Sequence, residues 1–208
     1  MDTDTINRGK KQQPVVVIDE ANDLLRNQFT ILVSAISMYL YLVYWEKYDV
    51  NTEHFALLNK VSAISENKPY ADFESFFPFY LTQHSDLTSR RLHFLGTTIS
   101  LGIVCSDINV FMAIVPSLTF SLAICHVTRH YDYGHIEALV ALGFFLSQLL
   151  RAKKMYKGLL AILVGYGFAW IGHFAFEKNQ PATFVYPTYS LFGDFKLWFS
   201  IASRQIPF

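Results

Sequence analysis

Two groups of residues in this 208-residue chain have the types and spacing for chemistry. In Gly172–Phe195 (GHFAFEKNQPATFVYPTYSLFGDF), His173 and Glu177 stand four residues apart. On a helix they share one face about one turn apart. An imidazole and a carboxylate stacked in this way, at the end of a membrane-length apolar run, can hold a metal or pass a proton. The second group is His84 and His93 in Phe76–Gly96 (FFPFYLTQHSDLTSRRLHFLG). One continuous helix would put these two on opposite faces, so they converge only if the chain bends at Ser85–Ser89. The two stretches are expected to meet and make one site. Each also has a plainer reading: interfacial histidines bonded to loop carbonyls, and a helix-end His173 with Glu177 as a surface carboxylate beside Lys178.

A third group, His126, His130 and His135, has the HxxxH spacing of one histidine box of the di-iron membrane desaturases and hydroxylases. That machinery needs several boxes with adjacent-histidine pairs. The chain has 7 histidines and no such pair, which makes the full di-iron arrangement a poor reading. One of the three could still complete a metal shell. There is no GxSxG elbow, P-loop or GxGxxG, so acyl-enzyme chemistry and nucleotide binding lack support. Cys105 and Cys125 lie inside apolar runs and read as buried fillers, with neither a disulfide framework nor a CxxC metal motif.

The elements that must carry these residues are membrane-like. Charged residues make up only 16% of the chain and aromatics another 16%, with 19 Phe and 12 Tyr. The net charge is +0 and no basic tract occurs, so nucleic acid is not an expected partner. Met1–Gln13 reads as a disordered tail and Phe29–Trp45 as an uncleaved anchor at the lower edge of spanning length. Together they fall in an N-terminal extension, 1–71, ahead of a multi-pass domain, 72–208. Four apolar segments follow: Leu92–Cys105, Phe111–Cys125, Ile136–Leu150 and Gly158–Phe176, with Pro116 expected to kink the second. The fold expected is an all-α, polytopic membrane helix bundle of about four to five transmembrane segments. If the four segments all cross, His84, His93, His126, His130, His135 and His173 collect on one face. Past Pro181, which must end or bend the helix, a Pro-, Tyr- and Gly-rich loop is expected, with Ser190 and Asp194 at its tips.

FYLTQHSDLTSRRLHFLGT (Phe79–Thr97) and GHFAFEKNQPATF with SLFGDF together resemble the paired signatures of a family of small multi-pass membrane proteins. Its fungal representative is a 2-hydroxy fatty acid dioxygenase of phytosphingosine breakdown to odd-numbered fatty acids. The resemblance covers Phe76–Trp198 and implies an endoplasmic reticulum membrane enzyme that uses iron, as Fe(2+), and O2 to shorten a 2-hydroxy fatty acid by one carbon. It implies His84, His93 and His173 as metal ligands, with Glu177 at the carboxylate position. Two positions differ: Gln83 stands where the fungal enzyme has His, and Ser89 where relatives usually carry Asn. A 2-hydroxy acid can chelate such a metal through its hydroxyl and carboxylate. On this reading Arg90 or Arg91 pairs with the carboxylate, and Phe76, Phe77, Phe79, Tyr80, Phe174 and Phe176 receive the acyl chain. Asn179, Ser190 and Asp194 are expected to orient the ligands from behind, though Asp194 could equally cap a turn after Gly193. The competing readings are a non-catalytic membrane scaffold of the same fold and a membrane enzyme using another metal, such as a zinc hydrolase.

Overall fold

The computed structural model describes Lys68–Phe208, together with Phe29, Ile31, Leu32, Val33, Ile36 and Leu40, which are helical. The expected tail Met1–Gln13 and the remainder of the expected anchor Phe29–Trp45 lie outside the described residues. Among the described residues the chain is all-helical, with no strand. Six α-helices follow one another: α1 (Phe73–Thr82), α2 (Leu87–Cys105), α3 (Ile108–Thr128), α4 (His135–Arg151), α5 (Met155–Ile171) and α6 (Pro187–Ala202). A π-helical turn (Gly172–Glu177) continues α5, and a 3-10 turn (Ala182–Phe184) precedes α6.

Aspartates start the first three helices. The Asp72 carboxylate accepts from Ser75 N at 2.8 Å, Asp86 from Thr88 N at 2.7 Å and Ser89 N at 3.0 Å, and Asp107 from Asn109 N at 3.1 Å. Each cap satisfies amides that a helix start leaves without partners. Helix α3 runs through Pro116 as one element. Where a loop was expected after Pro181, Pro187–Ala202 is helical. Pro187 occupies the first turn, the one place where a helix favours proline, since the missing N–H has no partner to lose. Asp194 therefore lies mid-helix, and its alternative role as a turn cap is removed.

Helices α2 and α5 pack antiparallel along a seam of small residues. Gly96 lies against Phe168 and Gly165, Gly165 faces Ser100, and Ser100 Oγ donates to Ala161 O at 2.8 Å. Helices α3 and α4 form a second antiparallel pair, with Phe120 and Phe144 stacked at 4.1 Å. Val104, Val110, Ala113, Phe145, Leu149 and Ala161 join the pairs in one core. At one end of the bundle Asp107 meets Lys154 Nζ at 2.9 Å and Lys157 Nζ at 3.0 Å, closing the α2–α3 and α4–α5 turns on each other. The opposite end carries His84, His93 and His173, and also the α3–α4 turn, which Gly134 N ties to Phe184 O at 2.9 Å. There a nearly solvent-free Glu137 accepts from Thr188 N at 2.8 Å and pairs with Lys68 Nζ at 3.9 Å, seating the start of α6 on α4. Lys68–Ala71 pack onto this end as well, with Tyr70 N donating to Tyr186 Oη at 3.0 Å.

Two described helices are long and apolar enough to cross a membrane: Ile108–Thr128, and Met155–Glu177 including the π-turn. Large apolar side chains also lie exposed along the bundle, among them Leu139 (68%), Leu159 (47%) and Leu163 (71%).

A β-carbon at Gly96 would sit 2.7 Å from Phe168 Cβ and 3.3 Å from Gly165 O. Gly96→Ala is therefore expected to cost about 1–3 kcal/mol by forcing α2 off α5, read as a lowered melting midpoint in detergent. At the far end, the hydrogen bond from Lys154 leads in holding the Asp107 carboxyl at about 2, below its ordinary 3.8, against the opposing effect of burial. A value depressed on folding stabilises above the ordinary value, and that contribution is lost as pH falls through about 2. Asp107→Asn keeps a helix cap but loses the two lysine pairs. It should lower stability by about 1 kcal/mol at neutral pH, with the deficit disappearing in strong acid.

Candidate metal centre

Three separate pieces of backbone deliver the three imidazoles. Helix α1 ends at Thr82 and α2 begins at Leu87, so the bend that lets His84 and His93 converge falls at Gln83–Asp86. His93 sits two turns into α2, and His173 sits in the π-turn. Wider winding at a π-turn shifts side-chain direction and is frequent at functional sites. Gly172 makes the approach possible, because a β-carbon there would stand 2.8 Å from Ser89 Oγ and 3.5 Å from His93 Cδ2. The turn ends at Lys178, whose φ of 54° is left-handed and unfavourable for a residue with a side chain. That reversal brings Asn179 back over His173, its N–H donating to His173 O at 3.3 Å.

The rings of His84, His93 and His173 lie edge to face, with centroids 4.4, 4.7 and 5.1 Å apart. All three are buried, at 2%, 5% and 4% exposure, and each offers a ligand atom within 4.8 Å of the others. On each ring Nδ1 is already engaged with an acceptor behind it. His84 Nδ1 faces Tyr80 O at 2.7 Å, His93 Nδ1 faces Asp194 Oδ1 at 2.8 Å, and His173 Nδ1 faces Asn179 Oδ1 at 2.8 Å. A carbonyl or carboxylate oxygen can only accept, so each imidazole donates through Nδ1–H, and in its neutral form carries its lone pair on Nε2. The Asn179 amide cannot flip freely, because its Nδ2 donates to Gln83 O at 3.0 Å and Gln83 Oε1 at 3.2 Å. His84 Nε2 and His93 Nε2 are buried without a hydrogen-bond partner. Lone pairs held this way cost free energy unless something accepts them. Three imidazoles, each oriented by a partner at its other nitrogen, form a donor set that in the neutral form fits a divalent metal.

Burial favours the neutral, metal-ready form at His84. Burial, reinforced by the neighbouring His93, pulls the His84 imidazole down to about 3, so it is neutral at physiological pH. Burial opposes ionisation of Asp194, but the facing His93 and the Tyr80 hydroxyl outweigh it and keep the carboxyl below its ordinary range. Tyr80 Oη donates to Asp194 at 2.5 Å, and burial together with that carboxylate pushes the phenol well upward, so it stays a donor.

The other expected residues fall in different places. Glu177 lies outside the three-histidine group: its Oε1 accepts from Asp86 N at 2.8 Å and its Oε2 from Ser85 Oγ at 3.0 Å, clasping the α1–α2 turn. Arg91 Nη2 donates to Phe208 O at 3.3 Å and its guanidinium lies over the Phe208 ring. Neither Arg90 nor Arg91 lines the small cleft beside the histidines. That cleft is walled by Tyr80, Tyr166, Trp170 and Pro181, with Ser190 and Asp194 on its α6 side. Of the aromatic wall expected from α1, Phe76 and Phe77 are packed into the core instead. His126, His130 and His135 sit at the same end of the bundle but outside the group of three. Two residues have roles here that the sequence reading did not give them. Tyr80 supports two imidazoles through its carbonyl and hydroxyl, for which its i, i+4 spacing to His84 was the available signal. Gln83 orients Asn179 across 96 residues, for which there was none.

Asp194→Asn should weaken divalent metal binding about 10- to 100-fold in an equilibrium titration while leaving helix content unchanged, because it removes the charge behind one ligand.

The comparisons with known proteins bear on a chain with this geometry. Residues 70–206 match the family described as 2-hydroxy-palmitic acid dioxygenase Mpo1-like. The match takes in the described bundle from Tyr70 through Ile206 and every residue of the three-histidine group. No curated protein and no solved structure matches the chain. By that match over most of its length, the chain belongs to the 2-hydroxy-palmitic acid dioxygenase Mpo1-like family.

Proposed function

We propose that this chain is an Fe(II)-dependent dioxygenase that acts on 2-hydroxy fatty acids within a membrane, in fatty acid α-oxidation and the breakdown of phytosphingosine. The observation that carries the reading is the buried trio His84, His93 and His173, each donating through Nδ1 and each offering a ligand atom within 4.8 Å of the others. The family description supplies the reaction class and the 2-hydroxy acid. These three residues would hold the iron, and the bound ion would supply open positions for a chelating hydroxy acid and for O2 chemistry. The protein's part is to hold and exclude. Tyr80, Asp194 and Asn179 fix the ring orientations, and the bundle core keeps water from the rear of the site. Glu177, by clasping the α1–α2 turn, keeps His84 in position rather than ligating. Trp170 and Tyr166 wall the cleft on the side of α5, where Trp170 (44%), Phe174 (57%) and Phe176 (43%) are exposed. An acyl chain lying among lipid tails would reach the cleft along this aromatic rim. The multi-pass reading, with α2 and α4 crossing beside α3 and α5 in the endoplasmic reticulum membrane, is supported by the apolar side chains exposed along the bundle.

A second reading has a specific observation behind it. Three imidazoles without a carboxylate among them are also the donor set of a catalytic zinc with one open position. Metal content and O2 dependence separate the two. Protein purified anaerobically in detergent should hold about one iron per chain, absent from His173→Ala, and should consume O2 with a 2-hydroxy fatty acid. Turnover that persists without O2 would favour the zinc hydrolase. A folded protein that binds no metal after reconstitution with Fe(II) would leave the non-catalytic scaffold.

A further inference from the structure

Helix α6 turns Ser190 and Asp194, one turn apart, toward the same cleft. Asp194 accepts through Oδ1 from both His93 and Tyr80. Ser190 is not used by anything. It is 4% exposed, it lines the cleft beside the histidines, and its Oγ is buried with no hydrogen-bond partner among the described residues. A serine inside a helix ordinarily folds its hydroxyl back onto the preceding turn. Three others here do so: Ser117 Oγ donates to Ala113 O at 2.7 Å, Ser121 to Leu118 O at 2.9 Å and Ser147 to Phe144 O at 2.6 Å. Ser190 gives up that bond, and a buried hydroxyl left unpaired is unfavourable until a ligand meets it. The charge inventory of the cleft adds the second half. Among the described residues that line it there is no lysine or arginine, so the head of an acid must be held by neutral donors and whatever ion the histidines carry.

We infer that the Ser190 hydroxyl is a substrate-contact group, donating its O–H to the carboxylate of a long-chain 2-hydroxy acid seated on the three-histidine site. The inference rests on the dioxygenase reading above and gives it a specificity determinant that belongs to α6 rather than to an arginine. Ser190 bonds none of the three imidazoles, so its loss should weaken the acid and spare the metal.

The experiment uses the full-length chain in detergent, loaded with Co(II), whose visible absorption reports both its own binding and that of a ligand without turnover. Wild type and Ser190→Ala are titrated first with Co(II) and then with 2-hydroxyhexadecanoate. The expected result is an unchanged Co(II) affinity and a Kd for the hydroxy acid raised about 10- to 100-fold, the loss typical of a hydrogen bond to a charged group. An equal Kd in the two proteins would overturn the assignment and leave the dioxygenase reading intact. A Co(II) affinity that falls in parallel with the acid would overturn it too, since Ser190 would then act through the histidines. A wild type that binds Co(II) but not the hydroxy acid would overturn the dioxygenase reading and this inference together.

Discussion

Bringing three imidazoles within ring contact of one another, away from water, sacrifices hydration at six nitrogens. Three of these are compensated from behind, by a backbone carbonyl, a carboxylate and a side-chain amide. The other three face inward, and at His84 and His93 they have no partner. Such an arrangement persists only if the surrounding structure prevents the rings from swinging out to solvent. Much of the helical framework can be understood as that restraint. The ring of Tyr80 stacks on His84 at 4.0 Å, its carbonyl accepts from His84 Nδ1, and its hydroxyl donates to the Asp194 carboxylate that faces His93. One residue thus couples two of the three ligands.

Close helix approach is the second condition. The seam between α2 and α5 is made of Gly96, Ser100, Ala161, Gly165 and Gly172, so the two backbones come near enough for His93 and His173 to meet. In a lipid environment, where burying apolar surface against another helix gains little, such small-residue seams are what hold helices together. The π-turn then rotates His173 inward, and the left-handed Lys178 reverses the chain so that Asn179 reaches the ring. Strain at Lys178 is tolerated because both Asn179 and Glu177 are anchored on the α1–α2 turn.

The two ends of the bundle are built differently. The far end is closed by Asp107 and two lysines, partly exposed groups whose attraction is modest and sensitive to acid. The site end is closed by groups out of water, with Glu137 paired to Lys68 and bonded to the Thr188 amide. A buried pair of this kind contributes little net stability, but breaking it leaves an uncompensated charge, so it holds α6 to one position. Ser190 and Asp194 inherit that position, and with it their aim into the cleft.

Much of this was legible in the sequence. Low charge and long apolar runs point to an all-helical bundle, as the described residues are, because such segments must satisfy their backbone internally. His84, His93 and His173 stand out by lying at the ends of those runs. What the sequence could not decide is how far each polar neighbour reaches. Glu177 is one turn from His173, as spacing requires, yet it closes on Ser85 and Asp86, because the π-turn changes the angular offset that a regular helix would give. The arginines after Ser89 do not line the cleft, and Arg91 reaches Phe208 instead. The Pro- and Tyr-rich segment after Pro181 becomes helix α6 rather than a loop, since Pro187 suits a helix start and Glu137 supplies an acceptor for the Thr188 amide. Local spacing determines which residues can share a face. Only contacts between segments about a hundred residues apart, such as Gln83 with Asn179 and Tyr80 with Asp194, determine which of them meet.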